Sequence, residues 1–213
     1  MIQTHLDGVP APEHLGAYPR TAWLAFFRQM GAIARSVHDV RGPHFGPVGG
    51  PEHGTWSEAV IASLEKIAAD LDGAGLDAGD VRKAAAVATQ GRATLDEVTE
   101  PGLLTGGLWT VNTLLDPKTP EPVISGVLDF DRAWFGDPAA DWTIRMATAK
   151  EDERTVFWES YGALDRSPAA VWRARIYEAR HLGAIQLERH RLARTDAVRE
   201  SYDTLANVLA GLA

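Results

Sequence analysis

Apolar residues recur at three- and four-residue steps over most of this chain, and the pattern predicts a helix-rich protein with one strand-rich island. In "TAWLAFFRQMGAIARSVHDV" the residues Trp23, Phe26, Phe27, Met30, Ile33, Ala34 and Val37 form one apolar stripe, which predicts a core helix that Thr21 could cap. After the loop "RGPHFGPVGGPEHG", Thr55 and Glu58 have capping-box spacing. Val60, Ile61, Leu64, Ile67, Ala68 and Leu71 then follow in helical period to about Asp72. The alanine-rich "DVRKAAAVATQGRATLDEV" predicts a third helix, weakened at Gly91 by poor propensity. Ser167 and Pro168 suit the N-cap and first position of a long helix reaching about Leu192. A last helix, "DAVRESYDTLANVLAGL", turns Val198, Tyr202, Leu205 and Leu209 inward.

Between these helices the period changes. "LWTVNTLL" and "VISGVLDF" are short β-rich runs on either side of the turn-prone "DPKTPEP", which predicts a hairpin between Leu108 and Phe130. The expected fold class is therefore mainly α with a small β-hairpin, an α+β protein. At 213 residues one compact domain spanning 1–213 is expected.

Composition narrows the function classes. Apolar residues make up 45% and charged residues 23%, the profile of a soluble globular protein. A net charge of −8, with lysine confined to Lys66, Lys83, Lys118 and Lys150, gives no clustered positive charge for nucleic acid or an anionic membrane. The absence of cysteine excludes disulfides, thiolate metal sites and a cysteine nucleophile. "MIQTHLDGVPAPEH" has neither a basic start nor a long apolar run, so a cytoplasmic location is the expectation. Trp23, Trp158 and Trp172 fall within helical segments and are expected to pack. His5, His14, His44 and His53 lie in loops without ligand spacing. His181 and His190 flank an arginine-rich face from Arg173 to Arg194 that reads as solvated and balanced by Glu178 and Glu188.

The candidate chemistry lies on the hairpin. Carboxylates at a strand end with an amide opposite suit Mg²⁺, a hard ion that takes oxygen ligands, and Asn112, Asp129 and Asp131 provide that set. Taken alone, a D-x-D at a strand end is as consistent with a turn or cap device.

Order and spacing add a resemblance. "TGGLWTVN" (105–112) and "LDFDRAWFGDPAAD" (128–141) resemble the H-G-D-L-x-x-x-N and I-D-F-D-x-A-x-x-G-D-P-x-x-D motifs of the aminoglycoside phosphotransferases and their choline-kinase-like relatives. "ARSVHDVRGPHFG" is similar to that family's helix ending in L-H-x-V. The resemblance implies a protein-kinase-like C-lobe over nearly the whole chain. Residues 1–11 would be a hinge remnant, 105–141 a degenerate catalytic and metal loop region, and 167–213 the C-terminal helices. It implies Asn112 and Asp129 as Mg²⁺ ligands, Asp137 and Asp141 as structural caps, and a structural His38. Trp109 and Trp134 would flank the substrate cleft.

Two departures from the family pattern matter. Gly107 stands where the family has its catalytic Asp, and Thr105 where it has the preceding His. Glycine cannot accept or orient a hydroxyl proton. The resemblance also starts at the hinge, so the family's N-lobe, with its phosphate-covering loop and lysine, has no counterpart here. The expected protein is a repurposed fold that binds a small polar or cationic molecule. A non-kinase enzyme using Asp129 or Asp131 as acid, base or metal ligand stays open, as do a non-catalytic interaction module and a phosphotransferase completed by a partner chain. An uncovered C-lobe surface would expose apolar residues and a strand edge near Met1 to Leu6, which implies a homodimer or a partner covering the missing lobe.

Overall fold

The structure is a computed structural model and describes residues 5–212. The edge expected near Met1 to Leu6, and any interface built on it, therefore lies for residues 1–4 outside the described residues. In chain order the main elements are β1 (Val9–Pro10), α1 (Trp23–His38), α2 (Trp56–Gly73), α3 (Gly79–Gln90), β2 (Gly102–Leu104), β3 (Thr113–Leu115), β4 (Ile124–Val127), β5 (Trp134–Gly136), α4 (Trp142–Thr148), α5 (Thr155–Tyr161), α6 (Pro168–Arg191) and α7 (Thr195–Ala210). Among the described residues no helix is long and apolar enough to cross a membrane.

The chain divides into two compact units. The first comprises Met1–Pro43, Pro47–Gly49 and Gly102–Leu164, and it contains every residue of the candidate loop region. Its core is the predicted stripe of α1, with Phe26, Phe27, Met30 and Ala34 buried. These pack with Leu108, Leu115, Ile144, Val156, Phe157 and Tyr161, while Trp23 and Ile33 cover the edge. Thr21 does not cap α1. A 3₁₀ turn over Arg20–Ala22 leads directly into the helix, so the residue before the first helical position is Ala22 and no side chain caps it. Strands β3 and β4 form the expected hairpin, antiparallel with Thr113 opposite Val127, and β1 adds to the other edge of β3. The β-rich run is shorter than its composition predicts, because Thr110–Asn112 coil into a 3₁₀ turn before β3 begins.

The second unit comprises His44–Gly46, Gly50–Pro101 and Asp165–Ala213. Thr55 and Glu58 form the predicted capping box, each side chain accepting from the other's backbone N–H, and α2 buries Trp56, Val60, Ile61, Leu64, Ile67, Ala68 and Leu71. The Trp56 indole N–H donates to the Tyr177 hydroxyl on α6 at 2.7 Å. Helix α3 stops at Gln90 with Gly91 beyond it, where the Trp172 ring lies so close that an added Cβ would stand 2.2 Å from it. Ser167 caps α6 by accepting from the Ala170 N–H, with Pro168 at the first position. The arginine face of α6 is not uniformly solvated. Arg173 is buried, and its guanidinium donates to the Glu97 carboxylate at 2.7 Å and the Thr94 carbonyl at 3.1 Å. Arg180 donates to the Ser63 hydroxyl, and burial lowers its pKa to about 10.

Candidate functional site

Two antiparallel pairings bring the motif residues together. Strand β2 pairs with β5, Leu104 opposite Trp134, so the loop that follows β2 meets the loop that precedes β5. The β3–β4 hairpin carries the second contact, because the Leu128 N–H donates to the Asn112 carbonyl just beyond the last strand pair. That register sets the Asn112 side chain against Asp129. Its amide donates to the Asp129 carboxylate at 3.2 Å and to the Gly107 carbonyl at 2.9 Å. Gly107, Asn112 and Asp129 therefore share one spot, with Asp131 two residues on in the same loop.

Asp129 has a left-handed backbone, with φ at +67°. Aspartate tolerates this region better than most residues, at a cost of about 1–2 kcal/mol, and such strain concentrates where a side chain must be aimed. The carboxyl is exposed and its pKa is raised. The hydrogen bond with Asp131 is the largest cause, followed by burial and the Asp131 charge, while the Asn112 hydrogen bond and Arg132 oppose the shift. A carboxyl whose folded pKa exceeds its unfolded value contributes stability at low pH and loses it as pH rises through the folded pKa. Asp131→Asn is expected to bring the Asp129 midpoint down toward the ordinary aspartate range, read by carboxyl-carbon NMR titration. An unchanged midpoint would mean that burial, not the second carboxylate, sets the shift.

Behind this exposed pair is a buried network centred on Asp141. Its carboxylate accepts from the Thr105 N–H at 2.6 Å, the Thr105 hydroxyl at 2.9 Å, the Gly106 N–H at 3.2 Å and His38 Nε2 at 2.9 Å. It also caps α4 by accepting from the Thr143 N–H. His38 Nδ1 lies 2.8 Å from the Tyr161 hydroxyl, whose pKa is raised by burial. The Thr105 hydroxyl accepts from the Leu108 N–H, which ties the turn around Gly107 to the same carboxylate. Asp137 differs from the expectation of a helix cap: it caps only the 3₁₀ turn Pro138–Ala140, through the Ala139 N–H at 3.0 Å. The α-helix cap is Asp141.

Trp109 is exposed and stands edge-on to Trp142, with ring centroids 6.4 Å apart, and Arg145 covers the Trp142 ring. Trp134 is half-buried on β5. Sequence reasoning missed Tyr161, Thr143 and Trp142. Trp142 and Thr143 directly follow the last motif residue, a signal that adjacency could have supplied. Tyr161 had no local signal, being 123 residues from His38.

Among the described residues no group of three or more His, Cys, Asp or Glu gathers around a point. Asn112 turns its amide nitrogen, not its oxygen, toward Asp129, but Asp129 and Asp131 remain two neighbouring exposed carboxylates. That suits a hard divalent cation such as Mg²⁺, which keeps its remaining positions for water or ligand oxygens. When bound, such an ion would supply charge neutralisation at a polar ligand.

The motifs and the fold agree with direct comparison. The family model for the phosphotransferase enzyme family, APH, matches residues 6–177, and the chain belongs to that family. Among solved structures, the apo form of a thermostable mutant of aminoglycoside phosphotransferase APH(4)-Ia is similar, with a TM-score of 0.67 and 19% identity over 97% of this chain and 70% of that one. The GDP and kanamycin complex of APH(2″)-IIIa has a TM-score of 0.60 and 18% identity over 97% and 69%. A further APH(4)-Ia mutant, in a ternary complex with AMP-PNP and hygromycin B, has a TM-score of 0.64 and 18% identity over 97% and 70%. No curated protein sequence gives a significant match.

Proposed function

We propose that this phosphotransferase-family chain does not transfer phosphate and instead binds a small polar or cationic molecule at the face formed by Asn112, Asp129 and Asp131. The observation that carries this reading is Gly107. In the family motif this position holds the carboxylate that orients the attacking hydroxyl, and catalysis of this kind rests on positioning and charge stabilisation. A Cβ added to Gly107 would stand 3.1 Å from the Asp129 carbonyl oxygen and 3.2 Å from Asn112 Nδ2, so even the first atom of a side chain crowds its neighbours.

The binding groups remain. Two exposed carboxylates attract a cation, and the exposed Trp109 provides an aromatic face of the kind that recognises one. Similarly folded enzymes have been solved with kanamycin or hygromycin B alongside a nucleotide, which supports an aminoglycoside-like ligand class for this face.

Purified protein is expected to give no phosphorylated product with Mg²⁺, ATP and kanamycin, yet to bind kanamycin by calorimetry. Asp129→Asn should weaken binding about 10-fold or more, as loss of a charged hydrogen bond does, with the melting temperature little changed. Phosphorylated kanamycin would overturn the loss of activity. Binding indifferent to Asp129→Asn would remove the site. A second reading has its own observation. The Asp129 pKa, raised beside Asp131, suits one carboxyl as acid and the other as base, in an enzyme of another class. Turnover that needs no nucleotide and is abolished by Asp131→Asn would select it.

A further inference from the structure

A cavity of about 500 Å³ lies wholly within the second unit and shares no residue with the face formed by Asn112, Asp129 and Asp131. Its volume falls in the range of about 300–1,000 Å³ usual for small-molecule sites. Three stretches of chain line it: the end of α3 with the short helix Arg92–Leu95, the first turns of α6, and Leu212. No lining residue is charged.

Trp172 and Gly91 give the cavity its aromatic surface. Gly91 has φ −92° and ψ 22°, a conformation that residues with side chains also adopt, so the backbone does not require glycine there. Space does. An added Cβ would stand 2.2 Å and 2.4 Å from two carbons of the six-membered ring of the Trp172 indole, so the break between α3 and Arg92–Leu95 seats that ring on bare backbone. The packing does not enclose the indole, because Trp172 stays half-buried. Among the described residues the Trp172 indole N–H, the Gln90 amide and the Thr94 hydroxyl make no hydrogen bond, and they remain open to solvent. Val87, Ala169 and Leu212 add only apolar side chains to the lining.

We propose that this cavity binds an uncharged aromatic or heteroaromatic ring that carries an amide-like polar edge. A flat ring packs against the indole, where aromatic pairs gain beyond their buried area. Its polar edge accepts from the indole N–H and exchanges hydrogen bonds with the Gln90 amide, a group that both donates and accepts. A charged ligand would lose hydration without meeting an opposite charge among the lining side chains. A sugar fits less well for a related reason, since hydroxyls all round its ring would meet Val87, Ala169 and Leu212 without partners.

Benzamide titrated into the full chain, with the tryptophan indole N–H resonances followed by NMR, provides the test. A saturable shift is expected at Trp172, whose resonance is identified by its loss in Trp172→Phe, with Trp109 and Trp134 unmoved. Cyclohexanecarboxamide, which carries the same amide on a puckered ring, should bind about 5-fold less tightly or weaker. Benzoate, which adds a charge to the same flat ring, should bind about 10-fold less tightly or weaker. Gln90→Leu, at an exposed position, should weaken benzamide about 5-fold through the lost hydrogen bond. Gly91→Ala should weaken it as well, by displacing the indole. Because the wild-type resonances and Gln90→Leu carry their own readouts, a folding defect in Gly91→Ala leaves the test intact. Shifts that stay linear, that appear equally at every indole, or that cyclohexanecarboxamide or benzoate reproduces at the same concentration would overturn the site. Methyl glucoside binding more tightly than benzamide would overturn the aromatic class.

Discussion

Replacing Asp141 with alanine is expected to cost about 3–5 kcal/mol of stability, the range seen when one partner of a buried polar or ionic cluster is removed. The carboxylate is fully buried and is the shared acceptor for His38 Nε2, the Thr105 N–H and hydroxyl and the Gly106 N–H. Alanine leaves each of these donors without its acceptor in a place water does not reach, and an unsatisfied buried donor costs about 1–3 kcal/mol. A total stability of about 5–15 kcal/mol is typical of a domain, so the loss is a large fraction of it. Asp137→Ala is the internal control. Asp137 holds a 3₁₀ turn through one backbone N–H at 3.0 Å, and losing a cap costs about 1 kcal/mol. Urea denaturation of both variants decides the matter. If the midpoints fall equally, the Asp141 network is not what anchors residues 105–108 to α1 and α4.

Gly31→Ala is expected to destabilise by about 1–3 kcal/mol, against the usual sign for a helix interior, where alanine is better than glycine by about 1 kcal/mol. Gly31 is the point at which α1 and α5 approach closely. An added Cβ would stand 2.3 Å from the Ser160 hydroxyl oxygen and 2.4 Å from the Phe157 carbonyl oxygen. The first of these could turn away. The second is backbone, and it moves only if α5 moves. The clash should therefore persist in a Ser160→Ala background, and thermal unfolding of the single and double variants separates the two contributions. Should Ser160→Ala abolish the effect, the close approach is made by a side chain and the helix spacing is not limited by Gly31.

Both sites show why some features were legible in the residues and others were not. Caps depend on neighbours three positions apart, so Thr55 with Glu58 and Ser167 with Pro168 could be read directly. Thr21 failed as a cap for an equally local reason: the preceding 3₁₀ turn supplies Ala22 at that place. Asn112, Asp129 and Asp131 were legible through motif order, and hairpin register explains their meeting. The raised Asp129 pKa and the left-handed Asp129 backbone were not legible, because both depend on how the loop is folded in space.

By itself the sequence determined the helical stripes, the hairpin, the family membership carried by residues 105–112 and 128–141, and the lack of a carboxylate at Gly107. These are properties of residue type and short spacing, where a period of 3.6 or 2 decides which side is apolar. Only the tertiary structure decided that Asp141, and not Asp137, is the buried anchor, since that role needs donors from His38 and Thr105, 103 and 36 residues away. It likewise decided that Arg173 is buried against Glu97 while Arg20 and Arg154 rest on aromatic rings. Along the chain all three are simply arginines. What distinguishes them is which neighbours folding brings within a few ångströms, and electrostatic and hydrogen-bond energies fall off over that same distance.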